Sequence, residues 1–346
     1  MPSTLIRTAR VIFFISLFYF VSCDREKMAD IPQIKIHRFD LDLKDFDTTN
    51  FEEAEKKMIR KYGDIYTFYI EKLMGLGSLQ PNHQYYYKPH LKNFLQEEYP
   101  AIMDTFDKYI TNDISRIEDE LTMSYGRLCA EFPEKKPSTV YSFFISPMGA
   151  NPASAFTYGQ DTVGFNWFNY LGKSFPLYAP LYEGYSYMIE WNQQDYINRN
   201  IMLVEYRLLQ EKNGSKEEYS ELIYNMIEKG KEFYFLDKVC PKMKSETKIG
   251  YTDKQYKWCE ENEFEIWAHL KENKVLYSTE TMDMKRMTEP GPTTPGMPGE
   301  SPGMVGAWVG WQIVKTYQLK ANKSLKDLMQ TSPKEILKNA NYKPTK

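Results

Sequence analysis

Apolar positions recur at helical spacing through Lys248 to Ser278, the best-specified stretch of the chain. Tyr256, Cys259, Glu263, Trp267 and Leu270 fall on one face, and Lys254, Lys257 and Glu261 fall elsewhere. Thr252 with Gln255 three residues on has the spacing of a capping box, so a helix is predicted to start there. Glu263 interrupts the apolar stripe, where an unpaired carboxylate would cost several kcal/mol. It is therefore expected to be paired, either in a salt bridge or hydrogen-bonded network between helices or as a site residue. Trp267, one turn away on the same face, marks a packing surface.

The same reading extends along the chain. Ile34, Ile36, Phe39, Leu41 and Leu43 alternate as a strand would. Asn50 with Glu53 opens a helix that Gly63 ends, and Asp64 to Met74 continues helically. Leu91 to Cys129 reads as helices interrupted near Pro100 and Asn112. Thr139 to Ser146, Ala155 to Tyr158 and Thr162 to Trp167 are short, aromatic and β-branched, and predict three antiparallel strands. Helix returns over Tyr185 to Gln210, restarts at Ser215 and Glu218 towards Gly230, and resumes at Thr252. Glu289 to Gly303, EPGPTTPGMPGESPG, predicts an irregular loop, either a functional lid or a surface crossing. Gly306 and Gly310, with Trp308 and Trp311 between and beside them, predict close helix packing in the core. Ser332, Pro333 and Glu335 open a last helix that turns Ile336, Leu337 and Ala340 inward. The fold class is α+β, predominantly helical with a small antiparallel sheet.

The first segment changes the picture of where this body sits. Arg7 and Arg10 precede an apolar run from Val11 to Val21, too short for a comfortable membrane span of about 20 residues. Ser22 and Cys23 follow, and the ending resembles a bacterial lipobox with Phe20 where Leu is commonest. Residues 1–22 are read as a signal peptide, 23–33 as a lipidated tether and 34–346 as one domain. Cys23 is the expected lipidation site, acylated for instance with palmitate, and the membrane is the partner reached through it. That puts the protein in the cell envelope, exposed to the periplasm or the cell surface.

Composition and charge narrow the function classes. The chain has 346 residues, 27 of them Tyr, and a net charge of −3, without a basic stripe that would attract nucleic acid. Four Cys do not make a disulfide scaffold at this length, and Cys129, Cys240 and Cys259 form an odd set once Cys23 is acylated. The histidines, His37, His83, His90 and His269, lack the spacing of a helical zinc motif, and no P-loop, nucleophile elbow or C-x-x-C is present. No cofactor, metal or catalytic residue is expected.

The lipobox, KIGYTDKQYKWCEENEFEIW with its following LYST, GAWVGWQIVKTY, SLKDLM and NYKP together resemble the gliding-motility lipoprotein GldB family of Bacteroidetes. The likeness covers nearly the whole chain, with IKIHRFDLDL and KKMIRKYGDIY carrying it at the N-terminal side. It implies an envelope lipoprotein connected with gliding motility or the associated secretion apparatus. That family is in turn similar in layout to zincin metallopeptidases, but the stretch expected to carry histidines reads Asn198, Arg199, Asn200 to Glu205, and Lys229 precedes Gly230 where a ligand Glu would stand. The resemblance therefore implies a zincin-like layout without the metal site, with Glu183, Glu190 and Glu205 on solvated helix faces or lining a cleft. The leading expectation is a non-catalytic protein acting through envelope protein partners, with Glu263, Trp267, Trp308 and Trp311 as a structural or binding face. A peptidase-like hydrolase, and a glycan- or peptide-binding module with an aromatic cleft, are the alternatives.

Overall fold

The computed structural model describes residues 27–79, 84–110, 114–145, 154–214 and 219–344. The expected signal peptide, Cys23, His83 and the helix restart at residues 215–218 lie outside them. The N-terminal third is helical: α1 (Phe39–Lys44), α2 (Phe51–Tyr62), α3 (Asp64–Phe68), α4 (Gln84–Asn93), α5 (Tyr99–Tyr109) and α6 (Ile114–Glu131). Gly63 ends α2 at φ 53°, a left-handed turn that favours glycine, as its place in the sequence predicts. The alternation of residues 34–43 yields only β1 (Ile36–Arg38). Phe39 and Leu43 are four apart and both buried, while Leu41 is exposed, so the same residues make one apolar face of α1 instead of a longer strand.

Beyond α6 come β2 (Thr139–Phe143), β3 (Ala155–Tyr158) and β4 (Thr162–Asn166), the three predicted strands. The sheet order is β1-β2-β4-β3, and the pairing is mixed. β1 and β4 run parallel to β2, with Ile36 and Val163 both opposite Val140, and only β3 and β4 are antiparallel. Parallel neighbours need a crossover. The helical third supplies the one before β2, and β3 is the return stroke that lets β4 re-enter in the direction of β2. Phe39 seals helices to sheet, its ring 4.7 Å from Tyr69 and 5.0 Å from Phe143. The buried Asp40 accepts from Ser142 Oγ at 2.5 Å and from Arg38 Nη2 at 2.5 Å.

The C-terminal half is α7 (Tyr178–Leu181), α8 (Tyr196–Asn213), α9 (Leu222–Val239), α10 (Ser245–Ile249), α11 (Asp253–Glu261), α12 (Glu263–Glu272), α13 (Thr281–Thr288), α14 (Val305–Ala321), α15 (Leu325–Gln330) and α16 (Pro333–Ala340). Its core is the α9–α14 pair, which crosses where Gly230 meets Gly310. A β-carbon on Gly230 would lie 2.3 Å from the Gly310 carbonyl, so neither position admits a larger residue without separating the helices. The predicted caps at α11 and α16 are present. Thr252 and Gln255 form the reciprocal box, and Ser332 accepts from the Glu335 amide.

The loop after α13 is largely exposed, and it is pinned to the body at a few buried positions. Thr294 and Ser301 are buried, Thr294 Oγ1 donates to the Pro302 carbonyl at 2.7 Å, and Tyr251 OH holds the Gly303 carbonyl at 2.7 Å.

Candidate functional site

The stripe that the sequence presents as one helix is two. Asn262 breaks it, its side-chain amide donating to the Trp258 carbonyl at 2.8 Å, and Glu263 becomes the first residue of α12. Glu263 is half-buried and accepts from Tyr342 OH at 2.5 Å, while Trp267 packs edge-on against the Tyr342 ring at 5.2 Å. The partner is a phenol from the C-terminal tail, so of the pairings the sequence allows this contact is a hydrogen bond and not a salt bridge. Burial, then the hydrogen bond to Glu263, holds the Tyr342 proton far more tightly than usual.

Trp308 and Trp311 lie in the core of α14. Trp311 Nε1 donates to Asp237 Oδ2 at 2.8 Å, Lys248 Nζ meets the other oxygen at 2.8 Å, and the Lys315 ammonium stands 3.7 Å from the Trp311 ring centroid. Burial pushes the Lys315 pKa down.

The segments compared with a zincin do not converge on a centre. Asn200 Nδ2 donates to Tyr170 OH at 2.9 Å, and Arg199 Nε to the Lys248 carbonyl at 2.9 Å. Lys229 pairs with Glu232 at 3.0 Å, and Gly230 is filled by α14. Glu205 is not on a solvated face. It is fully buried, accepting from Tyr125 OH at 2.7 Å and Ser138 Oγ at 2.5 Å, with Lys135 Nζ 3.0 Å from its second oxygen. Its position among the apolar residues of α8 was the readable signal for that. Glu183 is exposed, and Glu190 pairs with Lys173 at 3.3 Å. His37 stacks on Tyr141, His90 is exposed, and His269 Nδ1 is bonded with Asn273. Among the described residues no three His, Cys, Asp or Glu side chains are grouped to hold a metal ion.

A concave feature lies elsewhere, a cavity of about 730 Å³ between α6, the start of α8, the turn after α9, and α10 with the start of α11. Its floor joins three distant stretches. Ser124 Oγ donates to the Glu120 carbonyl at 2.9 Å and lies 3.3 Å from Cys240 Sγ, and Asn198 Nδ2 donates to Ser124 Oγ at 3.0 Å. Asn198 is 6% exposed, and its Oδ1 is buried without a hydrogen-bond partner among the described residues. Burial raises the Cys240 thiol to about 11, so it is a neutral wall at pH 7. The sides are ion pairs: Arg116 with Glu120 at 2.7 Å and Asp195 at 3.3 Å, and Lys244 with Glu246 at 4.0 Å. Sequence reasoning had named Asn198 only as a missing metal ligand. A polar residue beside the buried Ile197 and Ile201 was the signal available.

No helix of the described residues is long and apolar enough to cross a membrane. No curated protein and no solved structure matches the chain. The family model described as gliding motility protein GldB, however, matches residues 22–344, nearly the whole chain, and the protein belongs to that family.

Proposed function

We propose that this GldB-family protein is a lipid-anchored, non-catalytic component of the cell envelope, held by acylated Cys23 and working by contact with partner proteins in a gliding or associated secretion assembly. The observation that carries this reading is how the chain leaves the folded body. Residues 29–36 are laid along α6: Ala29 N–H donates to the Gly126 carbonyl at 2.8 Å, Ile34 N–H to Thr122 Oγ1 at 2.9 Å, and Ile36 N–H to Glu118 Oε1 at 2.9 Å. Five residues lie between Cys23 and Ala29, a reach of at most about 22 Å. An acyl group at Cys23 would therefore keep the body beside the bilayer. Leu177 and Leu181, one turn apart, and the nearby Tyr185 are each about half exposed, which supports a contact role for that side.

Cys23→Ala is expected to abolish fatty-acid labelling and release the protein from the membrane fraction. Equal labelling of the mutant would end the anchoring reading. Cross-linking in cells should then recover envelope proteins with the wild type and lose them with Leu181→Asp combined with Tyr185→Asp. A peptidase activity of the purified chain that follows a stoichiometric metal would contradict the non-catalytic role.

A further inference from the structure

We propose that the lysine-rich end of the fold, where the last turns of α14 and α16 meet, is a docking face for an anionic lipid surface, with Leu319 entering that surface among the headgroups. Residues 315–346 hold eight Lys against two acidic residues, Asp327 and Glu335, in a chain whose net charge is −3. Lys323 is paired with Glu335 at 2.9 Å and Lys326 with Glu134 at 2.7 Å. Lys320, Lys334, Lys338 and Lys343 are exposed, and among the described residues none of these four has a carboxylate partner. Lys320 Nζ donates to the Ala340 carbonyl at 2.6 Å, which sets the end of α14 against the end of α16. Lys334 and Lys338 stand one turn apart on the outer face of α16, and Lys343 follows in the tail. Leu319, beside Lys320, is 88% exposed, more than any other large hydrophobic side chain among the described residues.

Two observations select lipid over an acidic protein. An apolar side chain projecting among unpaired cations suits an interface where negative headgroups overlie hydrocarbon. The path of the N-terminal strap points to the same end. Its bonds run backwards along α6, from Ile36 at Glu118 through Ile34 at Thr122 to Ala29 at Gly126, so the chain towards Cys23 leaves over the C-terminal end of that helix. There Glu131 Oε2 accepts from the Leu325 N–H at 3.3 Å, and Leu325 opens α15 six residues after Leu319. An anchor within about 22 Å of Ala29 therefore brings a bilayer to the side of the molecule that carries the lysines. The face orients the body and does not hold it, because at about fivefold in affinity per lysine four of them fall short of the marginal grip of a single acyl chain. This inference takes the acyl anchor proposed above as given, and its test keeps the two apart.

The test is photo-cross-linking of the full chain, purified in detergent and reconstituted into nanodiscs of phosphatidylcholine alone or of phosphatidylcholine mixed with phosphatidylglycerol. With p-benzoylphenylalanine in place of Leu319, lipid adducts should form at least about tenfold more in the anionic discs, and about 1 M salt should remove the difference. Lys338→Gln combined with Lys343→Gln should lower the anionic yield at least about fivefold. Both side chains are exposed and lack a described partner, so the melting curve of that variant should match the wild type. The same probe in place of Leu181 should take no lipid. Equal yields in the two kinds of disc, an undiminished yield in the double variant, equal lipid capture at positions 181 and 319, or capture of added polyglutamate in preference to anionic lipid would each overturn the proposal. A chain that leaves both kinds of disc shows that the anchor has failed; excess anionic vesicles at low salt should still give the adduct at position 319, and its absence there would overturn the docking face as well.

Discussion

Gly310 faces the carbonyl of Met226 so closely that a β-carbon there would stand 1.7 Å from the oxygen. Helices α9 and α14 meet backbone to backbone at this point, and the clash is with an atom that cannot rotate away. Gly310→Ala should therefore destabilise the protein by about 3 kcal/mol, the upper end of overpacking costs. Gly299→Ala is the control, since nothing lies within 4 Å of its built β-carbon. Urea midpoints read both, and a Gly310→Ala midpoint equal to that of Gly299→Ala would remove this crossing as the reason for glycine.

Tyr342→Phe tests the Glu263 contact from the other side. It keeps the ring against Trp267 and removes only the hydroxyl that Glu263 accepts. The expected loss is about 1 to 3 kcal/mol, as for a hydrogen bond to a charged group. Glu263→Ala should cost a similar amount and add little to Tyr342→Phe in the double mutant. Additive losses would show that the two side chains are energetically independent.

Glu205 is the buried charge whose removal should hurt more. Glu205→Ala strands Lys135 and deprives Tyr125 and Ser138 of their acceptor. A loss of about 3 to 5 kcal/mol is expected, and Glu205→Gln should recover part of it. Thermal unfolding of the two variants checks the order.

Cys240 gives a pH dependence with a definite sign. Its folded pKa, about 11, lies above the ordinary 9.0, chiefly because the thiol is buried, with the Ser124 contact and the nearby Lys248 and Arg127 opposing the shift. A raised pKa contributes stability that is whole below pH 9 and is lost as pH rises towards 11, because the unfolded chain releases its proton first. The amount is about 3 kcal/mol over the full window. Cys240→Ala should reduce the slope of the stability profile between those limits, to which the raised thiol of Cys259 and the buried tyrosines also contribute, and an unchanged slope would exclude the Cys240 thiol as a source.

Cys129, Cys240 and Cys259 are all free and buried. A thiol reagent should leave the native protein essentially unmodified and label all three on denaturation. Rapid labelling of the native chain, or a disulfide among them, would contradict the packing described here.

Local signals were legible where local chemistry decides. Thr252 with Gln255 and Ser332 with Glu335 satisfy their helix starts within four residues, so the sequence alone locates them. Asn50 has the same appearance, but its side chain makes no cap, and the amides of Thr49 and Asn50 turn to Asp47 instead. The break at Asn262 was hidden because Cys259, Ile266 and Leu270 keep helical spacing across it. Parallel pairing of β2 with β4 depends on the path of the chain between them, which strand composition does not encode. The cavity was the least legible part. Ser124, Asn198 and Cys240 come from three separate helices or turns, and none carries a motif.

If Cys23 is acylated as proposed, the run of bonds from Ile36 to Ala29 along α6 has a mechanical meaning. Met28 fills the space over Gly126, its Cγ 2.7 Å from where a β-carbon would be, so the segment is seated as well as hydrogen-bonded. A pull arriving from the membrane would meet the Ala29 bond first, with the attachments at Thr122 and Glu118 in series behind it. The strap would then detach one bond at a time, as adhesive tape lifts from its end, before tension reached the sheet through β1. A bulky side chain at position 126 would loosen the first of those fastenings and lengthen the slack between body and bilayer.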